Sequence, residues 1–279
     1  WSSCSPDFGV QGVLDRFGQI EPRVLFTVDG YWYNGKPVSI RDKVAEIVAR
    51  LPTVERVVVV PYLEASGGPP ADLAPIRHAL PWETWLAPFL AGPIDYAQLP
   101  FDHPLYILYS SGTTGVPKCI VHGAGGTLLQ HLKEHRLHCD LRAGERLFYF
   151  TTCGWMMWNW LASALASSIT LVLYDGSPFH PDEGVLWRLA ADERVAAFGT
   201  SPKYLAALEK SGLRPRERYD LSSLRLVLST GSPLAHEQFD FVRDAIGPDG
   251  QLASISGGTD IVSCFALGNP WLPVYRGEL

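Results

Sequence analysis

Charge is scarce in this sequence and neither sign prevails: Asp, Glu, Lys and Arg make up 19% of its 279 residues, and 23 basic against 29 acidic residues leave a net charge of −6 with histidine neutral. A dedicated nucleic-acid binder carries a basic face, so no nucleic-acid partner is expected. Cysteine is sparse too. Cys4, Cys119, Cys139, Cys153 and Cys264 stand far apart, with no Cys-x-x-Cys pair and an odd count, which gives no disulfide framework; they read as reduced thiols of a cytoplasmic protein. No charged n-region precedes an apolar h-region at Trp1, so no targeting peptide is expected. There is no Gly-x-Ser-x-Gly elbow, which removes an esterase reading, and no repeat at a fixed period. One stretch, Leu147 to Tyr174, contains no charged side chain and is long enough to span a bilayer. Thr151, Thr152, Asn159, Ser163, Ser167 and Ser168 interrupt it without a flanking basic cluster, so a buried helix followed by a buried strand is expected, and no membrane partner.

What is present is a core. Hydrophobic residues make up 47% of the chain, enough for one large domain or two small ones. Val24 to Val28 and Arg56 to Val60 read as strands around a helix from Ser39 to Leu51, whose Ile40, Val44, Ile47, Val48 and Leu51 form one apolar face. That order predicts a parallel crossover. Ser66-Gly67-Gly68-Pro69-Pro70 breaks the pattern, and the Pro- and Trp-rich stretch from there to Pro104 reads as loop with one short helix. From Leu105 the alternation resumes. Strands are expected at Leu105–Tyr109, Cys119–His122, Leu147–Phe150, Ile169–Tyr174, Val195–Phe198, Leu224–Leu228 and Leu252–Ile255. Helices are expected at about Gly126–Leu137, Trp158–Ser167, Asp182–Ala191, Pro202–Ser211 and Ala235–Ala245. Continuous apolar strands are buried on both faces, so the class is α/β, with largely parallel sheets covered by helices.

The most informative segment is Tyr109-Ser110-Ser111-Gly112-Thr113-Thr114-Gly115-Val116-Pro117-Lys118. Gly112 and Gly115 let backbone N–H groups converge on phosphate oxygens, the hydroxyls add donors, and Lys118 supplies a positive charge. It is not a Walker loop, because Pro117 precedes the Lys and a strand rather than a helix follows. The plain alternative is a Ser/Thr/Gly linker.

This string resembles the phosphate loop of the acyl-adenylate-forming superfamily. Ser229-Thr230-Gly231-Ser232-Pro233-Leu234 is similar to that superfamily's adenine-side loop, and Ser256-Gly257-Gly258-Thr259-Asp260 stands where an aromatic-Gly-x-Thr-Glu motif is expected. Trp1-Ser2-Ser3, Asp7-Phe8-Gly9, the segment Asp29 to Lys36 and Gly154 to Asn159 resemble the branch of the superfamily that ligates acetoacetate to coenzyme A. The resemblance runs over essentially the whole chain. It implies a two-step ligase that forms an acyl-adenylate from ATP with Mg²⁺ and passes the acyl group to coenzyme A. The alternatives are a ligase for another short carboxylate and a nucleotide-binding remnant without turnover.

By that resemblance Thr113, Thr114, Gly115 and Lys118 hold the β- and γ-phosphates, with Lys118 offsetting charge on the departing pyrophosphate, and Ser110, Ser111 and Gly112 belong to the same nucleotide-binding loop. Thr259, beside Gly258, donates to the α-phosphate, and Asp260 ligates the metal; Asp is one methylene shorter than the usual Glu, and a capping or turn carboxylate is the alternative. Gly231, Ser232 and Pro233 form the wall against adenine. Met156, Met157, Thr230 and Gly257 match acyl-lining positions; related acetyl-CoA synthetases carry Trp where Gly257 stands, so an open pocket is expected, while both methionines also fit a plain core.

His131, His135 and His138 recur at helical spacing and invite a metal-face reading; with Lys133 and Arg136 between them, an exposed surface is expected instead. The domain reading is a partial first α/β subdomain over 1–104 and a nucleotide-binding α/β subdomain over 105–279, with the superfamily's small C-terminal domain absent. The 279-residue chain alone is therefore expected to release little or no pyrophosphate.

Overall fold

Apolar β-branched runs become strands and three- to four-residue apolar spacing becomes helices in the computed structural model, which describes residues 1–68, 71–110, 115–247 and 250–279. Contacts divide the chain into two units, residues 2–100 with 107–121, and residue 1 with 101–106 and 122–279.

The first unit comprises α1 (Val10–Ile20), β1 (Val24–Val28), β2 (Gly30–Tyr33), β3 (Lys36–Ser39), α2 (Arg41–Ala49), β4 (Arg56–Val60), α3 (Tyr62–Ala65), β5 (Ala79–Pro81) and α4 (Trp82–Leu86). The expected crossover is there: β1 and β4 pair in parallel, Val24 opposite Arg56, and β5 extends the sheet beyond β4. The apolar face read on α2 is buried in full, from Ile40 to Leu51, against Val57, Val59 and the Val13 and Phe17 face of α1. Three elements differ from the sequence reading. Helix α1 has no side-chain cap at Gly9 and two interior glycines, Gly12 and Gly18, so only tertiary packing of its apolar stripe holds it. The β2–β3 hairpin turns at Asn34 and Gly35, both with positive φ (48° and 72°), as a two-residue hairpin turn demands. The stretch from Ser66 to Pro104, read as loop with one short helix, contains that helix as α4 and, beyond the reading, the short strand β5.

Strands β6 (Pro104–Ser110) and β7 (Lys118–Gly123) pair with each other. The second unit continues with α5 (Ala124–Lys133), which widens into a π-helical turn over Glu134–His138, then β8 (Arg146–Tyr149), α6 (Met156–Ser163), β9 (Thr170–Val172), α7 (Val185–Asp192), β10 (Ala197–Thr200) and α8 (Pro202–Ser211). It ends with α9 (Pro215–Arg218), β11 (Leu226–Ser229), α10 (His236–Phe241), β12 (Gln251–Ser254), β13 (Ser256–Gly258) and β14 (Ser263–Ala266). Five strands form one sheet in the order β12-β11-β10-β8-β9, parallel at every pairing.

Alternation along these strands makes two cores. Phe148, Phe198, Val227 and Leu252 point to one face, where they meet Trp187 of α7 and Leu205 and Leu208 of α8. Their neighbours Leu147, Tyr149, Ala197, Leu226, Leu228 and Ala253 point to the other and meet Trp160 and Leu161 of α6. A sheet so covered reads as continuous apolar runs, as the sequence does. The uncharged stretch folds as β8, α6, a short 3₁₀ turn and β9, and among the described residues no helix is long and apolar enough to cross a membrane.

Candidate active site

All five parallel strands of the second unit end at one edge, where ligand sites of such sheets lie. The segments leaving β8, β11 and β12 there surround a cavity of about 550 Å³, within the range of small-molecule sites. From the β8 exit come Trp155, Met156 and Met157; from the β11 exit, Thr230 to Leu234; from the β12 exit, Ser254 to Thr259. Nine of the residues singled out in the sequence thus border one space: Met156, Met157, Thr230, Gly231, Ser232, Pro233, Gly257, Gly258 and Thr259.

Local chemistry holds these exits in place. The Thr230 hydroxyl donates to the Ile255 carbonyl at 3.0 Å, tying the β11 exit to the β12 exit. Gly231 has φ of +102°, a conformation a side chain would strain. The turn between β13 and β14 is clamped from below: His122 Nε2 lies 2.8 Å from the Thr259 carbonyl oxygen and His131 Nε2 lies 2.6 Å from that of Val262, so each ring donates through Nε2. Val262, β-branched yet at φ +48°, donates its N–H to the Thr259 carbonyl at 3.2 Å and accepts from His131 on its own carbonyl. Met156 and Met157 both border the cavity and pack on the core beneath.

Asp260 is different. It sits exposed on the β13–β14 turn and does not border the cavity. In the other unit, Ser110 ends β6, Gly115 has φ of +104°, and Lys118 opens β7 with its side chain exposed. Gln19 Nε2 donates to the Pro117 carbonyl at 2.8 Å and so anchors the loop's end. Ser111, Gly112, Thr113 and Thr114 lie outside the described residues.

The histidine face is corrected. His131, Glu134 and His135 share one side of the helix, and that side is buried, not exposed; Arg136 faces outward. Among the described residues no group of three His, Cys, Asp or Glu is placed to hold a metal ion. The burial is tolerated because Glu134 and His131 find partners, which alternating charge in the sequence conceals. His135 stacks on Trp160, ring centroids 4.2 Å apart, and burial, aided by His131 and Arg136, pushes its pKa down to about 3. The unfolded imidazole accepts a proton below about pH 6.5, the folded one only near 3, so stability is intact above that unfolded value. Below it, about 1.4 kcal/mol is lost per pH unit. His135→Phe keeps the ring and removes the titration. Between pH 7.5 and pH 5 its melting temperature is expected to fall about 4–8 °C less than the wild type's; equal falls in a paired calorimetric scan would contradict a buried neutral imidazole.

Burial and the neighbouring Glu134 push the Cys264 thiol up to about 12, and burial raises Cys119 as well. Both shifts disfavour the thiolate, the reactive form of a cysteine.

The AMP-binding enzyme family model matches residues 2–276. Acetoacetyl-coenzyme A synthetase of Rhizobium meliloti (strain 1021) is 64% identical over 282 residues, which cover all of this chain and 42% of that protein. Acetoacetyl-CoA synthetase of Gallus gallus is 49% identical with the same coverage. The solved acetoacetyl-CoA synthetase from Streptomyces lividans superposes with a TM-score of 0.91 at 51% identity, over all of this chain and 42% of that one. The chain therefore spans about 42% of the length of the curated relatives it matches.

Proposed function

This chain belongs to the AMP-binding enzyme family, and from that premise we propose that the protein carrying it activates acetoacetate with ATP and transfers the acyl group to coenzyme A. The acetoacetate carboxylate attacks the α-phosphorus, giving acetoacetyl-adenylate and pyrophosphate; the thiol of coenzyme A then attacks the acyl carbon and releases AMP. The observation that carries this reading is one cavity bordered by residues of three kinds the chemistry needs. Gly231 to Pro233 offer a wall for adenine, Thr259 a donor for the α-phosphate, and Met156, Met157, Thr230 and Gly257 a mouldable acyl space. The names of the relatives supply the acid.

Ser110 to Gly115 and Lys118 take the β- and γ-phosphates in this reading. Holding a carboxylate in line with phosphorus while the triphosphate charge is neutralised is most of the catalytic task. The donor set suits Mg²⁺ that arrives on the nucleotide: one exposed carboxylate, Asp260, follows Thr259, and no protein cage is present among the described residues. Such an ion supplies charge neutralisation to the phosphates, and Asp260 would be its protein ligand. The cytoplasm is the proposed compartment.

Pyrophosphate release by the intact protein with ATP, Mg²⁺ and, separately, acetoacetate, acetate and butyrate tests the reading. The highest kcat/KM is expected with acetoacetate. A preference for acetate would sink it.

A further inference from the structure

Glu134 is a carboxylate that burial should forbid. It is only 2% exposed, yet it borders the cavity. Its two oxygens are met by the Trp160 indole N–H at 2.8 Å on Oε2, and on Oε1 by the Gln130 amide at 3.1 Å, the Cys264 thiol at 3.2 Å and the Ser263 hydroxyl. Gln130 also donates to that Ser263 hydroxyl, which leaves the hydroxyl hydrogen for Glu134. The Lys133 ammonium stands 3.9 Å from Oε1. The Trp160 indole, the Gln130 amide and the Lys133 ammonium can only donate, and the Ser263 hydroxyl already accepts from Gln130, so these surroundings favour the carboxylate over the acid.

The network also says where along the cavity this carboxylate lies. Trp160 is one helical turn beyond Met156 on α6, so both face the same side. Ser263 and Cys264 are the residues against which Gly257 packs, its missing Cβ lying 2.2 Å from the Ser263 carbonyl oxygen and 2.6 Å from the Cys264 Cα. Met156 and Gly257 are the proposed acyl-lining positions, and Glu134 is bonded to the neighbours of both.

We propose that Glu134 is a specificity-determining residue: a fixed negative charge beside the acyl space that refuses acids carrying a second carboxylate and admits 3-oxo acids whose far end is neutral. The inference rests on the acid-activating reading above. An acid enters with its reacting carboxylate toward the nucleotide, so the far end of a dicarboxylate would meet Glu134 with like charge. At close range and in a poorly solvated pocket that repulsion is strong. The Trp160 N–H and the Ser263 hydroxyl hydrogen are engaged with Glu134 and the Gln130 amide is shared between Glu134 and Ser263, so these groups cannot compensate a second anion without abandoning the first.

Malonate and malonamate supply the probe. They share the carbon skeleton and differ at the far end by a carboxylate against an amide, so shape is nearly constant and charge is not. The intact wild-type protein is expected to favour malonamate over malonate by at least about tenfold in kcat/KM for pyrophosphate release. In Glu134→Gln that ratio is expected to fall at least about tenfold. Ser263→Ala, which keeps the charge, should leave the ratio within about twofold while lowering kcat/KM for both acids. A merely structural Glu134 would depress both acids alike and leave the ratio unmoved. A wild-type ratio near one, or a Glu134→Gln ratio within twofold of wild type, overturns the proposal. If Glu134→Gln does not fold, Glu134→Met, of similar length and without charge, supplies the same comparison: an unchanged ratio there overturns the proposal. Failure of the underlying reading looks different: the wild-type protein would then release no pyrophosphate with acetoacetate.

Discussion

Replacing Lys118 with alanine is expected to lower pyrophosphate formation from acetoacetate and ATP by about two to three orders of magnitude without changing the melting temperature measurably. The side chain is exposed at the start of β7, and among the described residues its ammonium has no ion-pair partner. Its removal therefore breaks no ion pair with a described residue. What it removes is a point charge, and adenylate formation expels a leaving group whose negative charge grows as the bond to the α-phosphorus breaks. In the proposed reaction thiol transfer follows the departure of pyrophosphate. Supplied with synthetic acetoacetyl-adenylate and coenzyme A, Lys118→Ala should therefore make thioester within about threefold of the wild-type rate. Lys118→Arg keeps the charge with another geometry, so an intermediate loss is expected. Equal losses in the two half-reactions, or a change in KM for ATP alone, would remove Lys118 from this role.

The parallel sheet was legible because its strands are buried on both faces, and Val227 between Leu226 and Leu228 gives no alternation to mislead a reader. The cavity rim was legible for a related reason. Strand exits rich in Gly, Ser and Thr, such as Thr230 to Ser232, announce turns whatever their neighbours are. The polar network was not legible. Glu134 is separated in sequence from Ser263 by 129 positions and from Trp160 by 26, and a carboxylate between Lys133 and His135 looks like any solvated helix face. Only the π-helical turn and the tertiary approach of α6 and β14 bring its four donors around it. Helix α1 was missed for the opposite reason. Its apolar spacing is present, but its glycines and uncapped start give a weak local signal that tertiary packing overrides.

Gly257→Trp is the second large effect, and it separates two accounts of why this position is glycine. If glycine simply leaves room, an indole there should shrink the pocket, disfavour acetoacetate and raise activity with acetate. The structure gives a prior constraint. A Cβ at Gly257 would stand 2.2 Å from the Ser263 carbonyl oxygen and 2.6 Å from the Cys264 Cα, both of them backbone. No rotamer relieves that contact, so β13 must move off β14, where Gly257 is paired with Cys264. Overpacking of this kind costs about 1–3 kcal/mol, a fall of a few degrees in melting temperature. It also drags the Ser263 hydroxyl and Cys264 thiol away from Glu134, both of which it holds now. Even Gly257→Ala should then lower kcat/KM for acetoacetate at least tenfold, and Gly257→Trp about a hundredfold, with no gain for acetate. A missing methylene shifts selectivity by only about 1–3 kcal/mol in an apolar pocket, so a clean reversal toward acetate in Gly257→Trp would show that β14 yields easily and that volume alone governs the position.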